Sequence, residues 1–450
     1  MKKILSMMLF ASAALVTFTS CKNEMDEIFA ESAAERLNNT QAKYSKLLTN
    51  SANGWAFEYY PTASADDGCV LYAVKFFENG SVDVAGDPFN SGVVSNEISC
   101  WDILTDNGPS LSFSTYNKLI HQFSDPGDDG AGYEGDYEFA FVYSDTENPD
   151  SVIMLKGKKR GLYSRLKMID EDVTPEQYLQ DCQAKQKELF PEAARNYVIL
   201  HIGSDLVRMD DMKTGVPDTY IYGKDKVLFA KPNSYIFVKY GGRYYARFNE
   251  AFKASDSDLS EKDFVYNETA QELVGVNNPD IKITAPHFAT FITDETLADA
   301  VKWRLARTSN MSESFKAVWD AASSALSKKG NTLNECTLST TNVGEDNNVT
   351  FSMRYKPRTG AAREVYFKFN ITRDGDNVTL QYVEPYNAGA ATVLESFPEC
   401  LALVNALAGT YTVDNTNSQK LVINSLQLTS ADGKMFSMLA NYAAIEESQN

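Results

Sequence analysis

The most specific chemical signal in the sequence is a cysteine that ends an N-terminal secretory segment. Lys2 and Lys3 give this segment a positive start, and a largely apolar stretch follows over residues 4–17. The stretch is shorter than the about 20 residues of a membrane-spanning helix, so it predicts a cleaved signal peptide over residues 1–20. Phe18-Thr19-Ser20-Cys21 resembles a lipobox, in which the thiol receives diacylglycerol. The sequence therefore predicts lipid attachment at Cys21; an ordinary signal peptide with a chance cysteine is the alternative.

An acidic segment follows this cysteine. Residues 22–27 read Lys-Asn-Glu-Met-Asp-Glu, and residues 21–31 together look like a tether. Two or three acyl chains anchor a protein stably, because a single chain binds a membrane only marginally. The acidic segment is similar to signals that export lipoproteins to the cell surface. We expect an outer-membrane protein that is lipid-anchored and faces outward; the periplasmic face, with a solvated acidic linker, is the alternative.

The remaining cysteines indicate neither a zinc site nor a disulfide scaffold. Their number is odd, their spacing is wide and no CxxC pair occurs among them. A bridge between Cys69 and Cys100 fits an oxidising compartment. Buried free thiols are the favoured alternative. The five residues are Cys69, Cys100, Cys182, Cys336 and Cys400.

Catalytic and metal-binding patterns are weak. His121, His201 and His287 lie far apart and lack the HExxH spacing of zinc enzymes. The sequence contains neither a G-x-S-x-G nucleophile elbow nor a phosphate-binding P-loop. Acidic residues that could surround Ca²⁺ miss the spacing of a calcium loop. They are Asp125, Asp128, Asp129, Glu134 and Asp136, and separately Asp205, Asp210 and Asp211. We predict no catalytic residue, cofactor or metal site; a carboxylate pair for glycoside hydrolysis stays open, because sequence cannot show which acids face each other.

Two clusters are candidates for ligand contact. The basic run 156–160, Lys-Gly-Lys-Lys-Arg, could receive an anion, or it simply ends a strand with Gly157 as a bulge. Tyrosines and phenylalanines crowd two adjoining strands over 235–248, and alternate residues of a strand face opposite sides. Some rings are therefore exposed for sugar stacking unless both faces are covered, and burial between sheet and helix is the favoured alternative. The candidate ligand contacts are Tyr235, Tyr240, Tyr244 and Tyr245.

The charge balance excludes one class of partner. The 450-residue chain has a formal net charge of −19, and loss of Lys2 and Lys3 with the signal peptide makes it more negative. Such a surface repels nucleic-acid phosphates, so we predict no nucleic-acid partner. It also repels anionic headgroups, so membrane contact should come through the lipid.

Periodicity predicts helices that alternate with β-rich stretches. Ser32-Ala-Ala-Glu35 matches a capping box for a helix over 32–49, and Thr174-Pro175 starts a helix that runs to about Leu189. Short alternating segments with turn residues predict antiparallel strands between the helices. A helical segment is expected from Asp294 to about Arg307, and Asn310 with Glu313 is expected to cap another helix.

These elements predict an α+β fold of mostly antiparallel β-sheet domains, each packed with one or two helices. The expected first domain is a helix plus antiparallel sheet over 32–170. A second helix-plus-β domain covers 171–293, and a C-terminal α+β domain covers 294–450.

The first of these domains carries a recognisable set of segments. They are Ser32–Arg36, Asn53–Pro61, Gly108–Phe113, His121–Pro126, Gly135–Phe139 and Leu155–Arg160. Together they resemble the Bacteroides-group lipoproteins of domain-of-unknown-function family 4302, specifically over residues 26–165. The resemblance implies a lipid-anchored envelope protein, which in such families often accompanies a TonB-dependent transporter. The strand pattern of this domain also resembles calycin or lipocalin-like barrels. No activity or catalytic residue comes with the resemblance.

The function we predict is that of a non-enzymatic accessory binding protein, with a glycan or another nutrient as its ligand. Its expected partners are the membrane, through the lipid anchor, and a TonB-dependent transporter or another envelope lipoprotein. A structural or adhesin-like envelope protein is the first alternative. A glycan hydrolase with a carboxylate pair is the second.

Overall fold

Three antiparallel β-sheets follow one another along the chain and are joined and flanked by helices. The predicted α+β fold with mostly antiparallel β domains is thereby confirmed. The computed structural model describes residues 32–62, 68–88, 92–105, 108–126, 135–142, 152–170, 172–191, 197–222, 227–293, 301–339, 348–414 and 421–442.

The first sheet closes into an eight-stranded barrel, the first barrel, in which each strand pairs with the next and β1 pairs with β8. This is the up-and-down order of lipocalins. Its interior is packed with aromatic rings, among them Phe57, Tyr72, Phe113 and Phe139. Its strands are β1 Trp55–Tyr59, β2 Val70–Phe76, β3 Ser81–Gly86, β4 Ser95–Leu104, β5 Ser110–Phe113, β6 Glu138–Val142, β7 Val152–Gly157 and β8 Tyr163–Met168.

The second sheet has nine strands and is called the middle sheet. Its spatial order is β12-β11-β10-β9-β17-β16-β15-β14-β13, so that sequence neighbours β12 and β13 lie at its two ends. Its strands are β9 Tyr197–Ile202, β10 Asp205–Asp210, β11 Asp218–Tyr222, β12 Val227–Pro232, β13 Tyr235–Tyr240, β14 Arg243–Lys253, β15 Ser260–Asn267, β16 Glu272–Gly275 and β17 Lys282–Thr284. A tight hairpin turn joins β13 to β14, and both of its glycines, Gly241 and Gly242, adopt positive φ.

The third sheet is again a closed eight-stranded barrel, the second barrel. Its first strand corrects the helix predicted up to Arg307, because Val301–Ala306 is strand β18. Val301, Trp303 and Leu305 point into the core and the lysine and arginine between them point out, which is the period of two of a strand. Its strands are β18 Val301–Ala306, β19 Asn331–Ser339, β20 Asn348–Pro357, β21 Arg363–Asp374, β22 Asn377–Pro385, β23 Gly409–Asp414, β24 Ser425–Ser430 and β25 Met435–Tyr442.

The helices begin at side-chain caps. The capping box of Ser32 and Glu35 and the cap of Thr174 are present as predicted. Ser312, and not Asn310, caps the helix that follows β18, because the Ser312 hydroxyl accepts from the amide of Phe315. The helix capped by Asn387 was not predicted. The helices are α1 Ala33–Thr49, α2 Lys118–His121, α3 Pro175–Leu189, α4 Phe288–Thr293, α5 Glu313–Lys328, α6 Ala388–Ser396 and α7 Pro398–Leu407.

Among the described helices, none alone has the length and apolar character to cross a membrane. Helices α6 and α7 have the required length and apolar character only when they are counted together, and they are bent by 113° at the break between them.

A row of alanines allows α3 to pack between the first barrel and the middle sheet. Ala56, Ala73 and Ala85 are register partners on β1, β2 and β3, and all three are fully buried on the outside of the barrel. Their small side chains leave room for Tyr178 and Leu179 of α3, which share a core cluster with them and with β13. Close packing of this kind depends on residue size, because interiors are filled to near-crystal density.

A buried carboxylate joins the same two sheets. Glu58 lies on the outer face of β1, only 1% exposed. Its oxygens lie 2.9 Å from Nε of Arg247 and 3.7 Å from Nε of Arg165, and they accept the Tyr240 hydroxyl at 2.6 Å. Arg247 also lies 3.3 Å from Asp263. Burial alone would lower the pKa of Arg247, but Glu58 and Asp263 raise it overall. We call these five residues the interface cluster.

Removal of its central carboxylate should be costly. We expect Glu58→Ala to lower the free energy of unfolding by about 3–5 kcal/mol, because it leaves buried guanidinium groups without their shared counter-ion. Urea unfolding of the purified protein measures this. The control is Glu78→Ala in the exposed β2–β3 turn, for which we expect a change within about 0.5 kcal/mol. Equal effects of the two substitutions would contradict the structural role of the cluster.

Candidate functional site

A cleft of about 730 Å³ lies where the middle sheet meets the second barrel. One wall is the outer face of β9, β10, β16 and β17. The other wall is the segment that leads into α4, together with Arg373 near the end of β21. This volume lies within the range of small-molecule sites, about 300–1,000 Å³.

Strand alternation decides which side chains reach the cleft. Along β9, Val198, Leu200 and Ile202 enter the core of the middle sheet, so the residues between them face outward. Register places His201 beside Leu206 on β10 and Lys282 on β17. The sheet wall is therefore a mixture of apolar and polar side chains.

His201 is held by a directed hydrogen bond. Its Nε2 lies 3.0 Å from Oγ1 of Thr284, and that hydroxyl donates to the carbonyl of Ala285 at 2.9 Å. Because the hydroxyl proton is used there, the imidazole Nε2 donates to Thr284. Burial lowers the pKa of His201, which favours its neutral form.

The barrel wall brings an imidazole and a guanidinium to the cleft. Nε2 of His287 lies 2.9 Å from the carboxylate of Asp376 in the β21–β22 turn. Arg373 precedes the same turn, and its Nε donates to the carbonyl of Gly375 at 3.0 Å. His201 and His287 are far apart in the sequence, and the fold makes both of them line one cleft.

A strained residue also lines the cleft. Gln271 has φ of 56°, a left-handed conformation that costs a side-chain-bearing residue about 1–2 kcal/mol. The preceding turn is held by Asn267, whose carbonyl accepts the amide of Gln271 and whose side chain accepts the amides of Thr269 and Ala270. Strain of this kind clusters at functional sites, which makes Gln271 a candidate ligand contact.

The tyrosines predicted as ligand contacts lie elsewhere. Tyr235 and Tyr240 are buried, and their hydroxyls donate to the carbonyl of Met212 and to Glu58. Tyr244 and Tyr245 are half-buried and lie against Phe237 and Tyr240. Alternate residues of β13 enter the core of the middle sheet and the contact with the first barrel, so both faces are covered. This is the burial that the sequence left open as the alternative. Tyr235 instead borders a cavity of about 100 Å³ beside Cys69 and Cys182.

The charged candidates have structural partners. Asp136 accepts the amides of Lys159 and Arg160 at 2.6 and 3.1 Å, so it closes the β7–β8 turn. Asp205 accepts the hydroxyl of Ser255 at 2.6 Å, and Asp210 pairs with Arg208. Within the described residues, no group of three or more His, Cys, Asp or Glu side chains could hold a metal ion. Asp128, Asp129 and Glu134 lie outside the described residues.

His121 and three cysteines complete the set of candidates from the sequence. His121 is buried, stacks on Tyr137 at a centroid distance of 4.7 Å, and has a pKa lowered by burial. Cys69 and Cys100 carry free thiols. Cys21, the predicted lipid attachment point, lies outside the described residues.

Sequence patterns did not single out Arg373 or Gln271 as site residues. Arg373 lies beside the Asp-Gly-Asp sequence of a turn, and Gln271 lies in a segment that carries no motif. The outward position of His201 in an otherwise apolar strand is the one local signal of the cleft, since Tyr197–Ile202 has no other polar side chain apart from the Tyr197 hydroxyl.

Comparison with protein families finds a match over about the first half of the chain. Residues 25–246 match the family model DUF4302, a domain of unknown function. The matched stretch contains the first barrel, α3 and the middle sheet as far as β14, and it confirms the resemblance to family 4302. No curated protein matches the chain.

Solved structures align along most of the chain with little agreement in shape. The β subunit of DNA polymerase from Streptococcus pyogenes is 11% identical, with 90% of this chain and 98% of that chain covered and a TM-score of 0.12. The Helicobacter pylori β clamp bound to a DNA ligase peptide is 12% identical, with 90% and 98% covered and a TM-score of 0.12. The C. crescentus β sliding clamp is 8% identical, with 91% and 97% covered and a TM-score of 0.13. Such scores carry no argument about fold or function.

Relief of the strain at Gln271 should stabilise the protein. We expect Gln271→Gly to raise the free energy of unfolding by about 1 kcal/mol, because glycine adopts positive φ freely. Thermal and urea unfolding measure the change. The control is Gln381→Gly in the exposed part of β22, where we expect a loss of about 0.5–1 kcal/mol. A loss of stability at position 271 would contradict the strain.

The pH dependence of stability should include His201. Because burial lowers its pKa, the unfolded chain binds the proton first, and stability is lost as the pH falls below about 6.5. In His201→Gln, the difference in unfolding free energy between pH 7.5 and pH 5.5 should be smaller than in the wild type. Glu78→Ala should keep the wild-type difference. An unchanged difference in His201→Gln would rule out this contribution.

Proposed function

We propose that this chain, a member of the DUF4302 family, is an outer-membrane lipoprotein that acts as a non-enzymatic accessory binding protein. The cleft between the middle sheet and the second barrel carries the proposal, because its volume and mixed lining suit a small ligand. In this proposal Cys21 holds the lipid and the acidic tether places the folded part on the cell surface, as in lipoproteins of the Bacteroides group. The ligand is a glycan fragment that is passed to a TonB-dependent transporter.

The lining of the cleft favours binding over hydrolysis. Glycoside hydrolysis needs two carboxylates that face each other across the bond that is cut. Among the described residues that line the cleft, Glu272 is the single carboxylate, and it pairs with Lys282 at 2.8 Å. Apolar surface from Ile199, Leu206 and Phe288 suits the non-polar face of a sugar ring.

Binding through the cleft is tested with the mature chain without its lipid, residues 22–450, on a glycan array. We expect binding by the wild type and loss of binding by Leu206→Arg, which places a large charged side chain on the sheet wall. The matched control is Val276→Arg, because Val276 is 47% exposed, close to the 51% of Leu206, and does not line the cleft. The proposal would be wrong if the array showed no glycan ligand and a pull-down recovered no transporter.

The anchor is tested separately in cells. Cys21→Ser should remove the acylation site and move the protein from the detergent phase to the aqueous phase in a detergent-partition experiment. Protease treatment of intact cells should degrade the wild-type protein if it faces outward. Cys100→Ser, at an exposed thiol of the first barrel, is the matched control and should leave the partition unchanged. Retention of Cys21→Ser in the detergent phase would contradict lipidation at this residue.

A further inference from the structure

The charged groups at the cleft leave one fixed positive charge without a partner of opposite sign. Glu272 is neutralised by Lys282 at 2.8 Å, and His287 faces Asp376 at 2.9 Å. Arg373 makes no ion pair with any of the described residues, and its Nε is bound to a neutral carbonyl. The cleft of a strongly acidic protein therefore presents an uncompensated guanidinium.

The position of this guanidinium is restricted by the turn that follows it. Its Nε donates to the carbonyl of Gly375, which lies in the β21–β22 turn and has φ of 57°. The bond engages one donor and leaves the two terminal nitrogens for other acceptors. A planar guanidinium with two adjacent N–H donors matches a carboxylate, with which it forms two parallel hydrogen bonds.

The other lining residues suit a ring that carries hydroxyl groups. Gln271 and Thr290 add amide and hydroxyl groups, and His201 adds an imidazole held by Thr284. Apolar side chains occupy the space between these polar groups, including Leu206, which is 51% exposed.

We propose that the ligand of the cleft is a saccharide that bears a carboxylate, and that Arg373 receives this carboxylate. The inference rests on the proposed function and adds to it the chemical class of the ligand. The apolar wall contacts the ring, the polar side chains contact its hydroxyls, and the guanidinium of Arg373 supplies the charge selectivity. On a chain with a net charge of −19, an anionic sugar has little other attraction to the surface.

Calorimetric titration of residues 22–450 with trigalacturonate and with its methyl ester tests this inference, because the two probes differ mainly in charge. We expect the acid to bind about 10- to 100-fold more tightly than the ester, and this preference should shrink at high salt. Arg373→Gln should bind both probes alike and weakly. Arg373→Lys should keep part of the preference, since it retains the charge without the planar fork.

The matched control is Arg363→Gln, at the exposed opposite end of β21 and outside the cleft lining, which should keep the wild-type preference. Arg373 is exposed near the end of β21, and the folding of both variants is verified by their unfolding temperatures. Equal binding of acid and ester by the wild type would overturn the inference and leave the proposed function standing. A preference that persists in Arg373→Gln would overturn the role of Arg373. If neither probe binds, the carboxylate class is wrong, and the glycan array decides the proposed function.

Discussion

The arrangement of the protein depends on one buried carboxylate. Glu58 lies on the outside of the first barrel, where a lone charge would face water, yet the middle sheet covers it completely. Two guanidinium groups and a tyrosine hydroxyl surround its oxygens, which offsets the cost of removing a charge from water. Because Arg165 belongs to the barrel and Arg247 to the sheet, the interface cluster holds the two in one relative position.

The outer face of the middle sheet contacts both barrels. Near β13 and β14 it covers the first barrel and α3 with apolar side chains and the interface cluster. Near β9, β10 and β17 it faces the second barrel, and there the contact is incomplete and leaves the cleft. The alternating pattern of strands makes this possible, since each strand contributes one face to the core of the sheet and the other to its neighbours. The first contact is closed, and the second leaves an open cleft.

Local sequence patterns predicted correctly many of the elements that interactions between neighbouring residues determine. The capping box at Ser32 and the Thr174-Pro175 helix start depend on residues within one turn. The error at Val301–Ala306 has a tertiary cause, because this segment becomes a strand by pairing with β19 and β25. Tyr235 and Tyr240 could be read as exposed or as buried, and only the coverage of both faces of β13 decides between the two.

Patterns among neighbouring residues were enough to establish the strongly acidic charge and the β-rich character of the chain, and they predict a lipid anchor at Cys21. Tertiary structure alone decided that Glu58 is a buried counter-ion and that His201, His287 and Arg373 border one cleft. His201 and Arg373 lie 172 positions apart, and Glu58 lies 189 positions before its partner Arg247, so no local pattern connects them. Strand register and the packing of separate sheets bring them together, because burial of apolar surface, and not sequence distance, sets which side chains become neighbours.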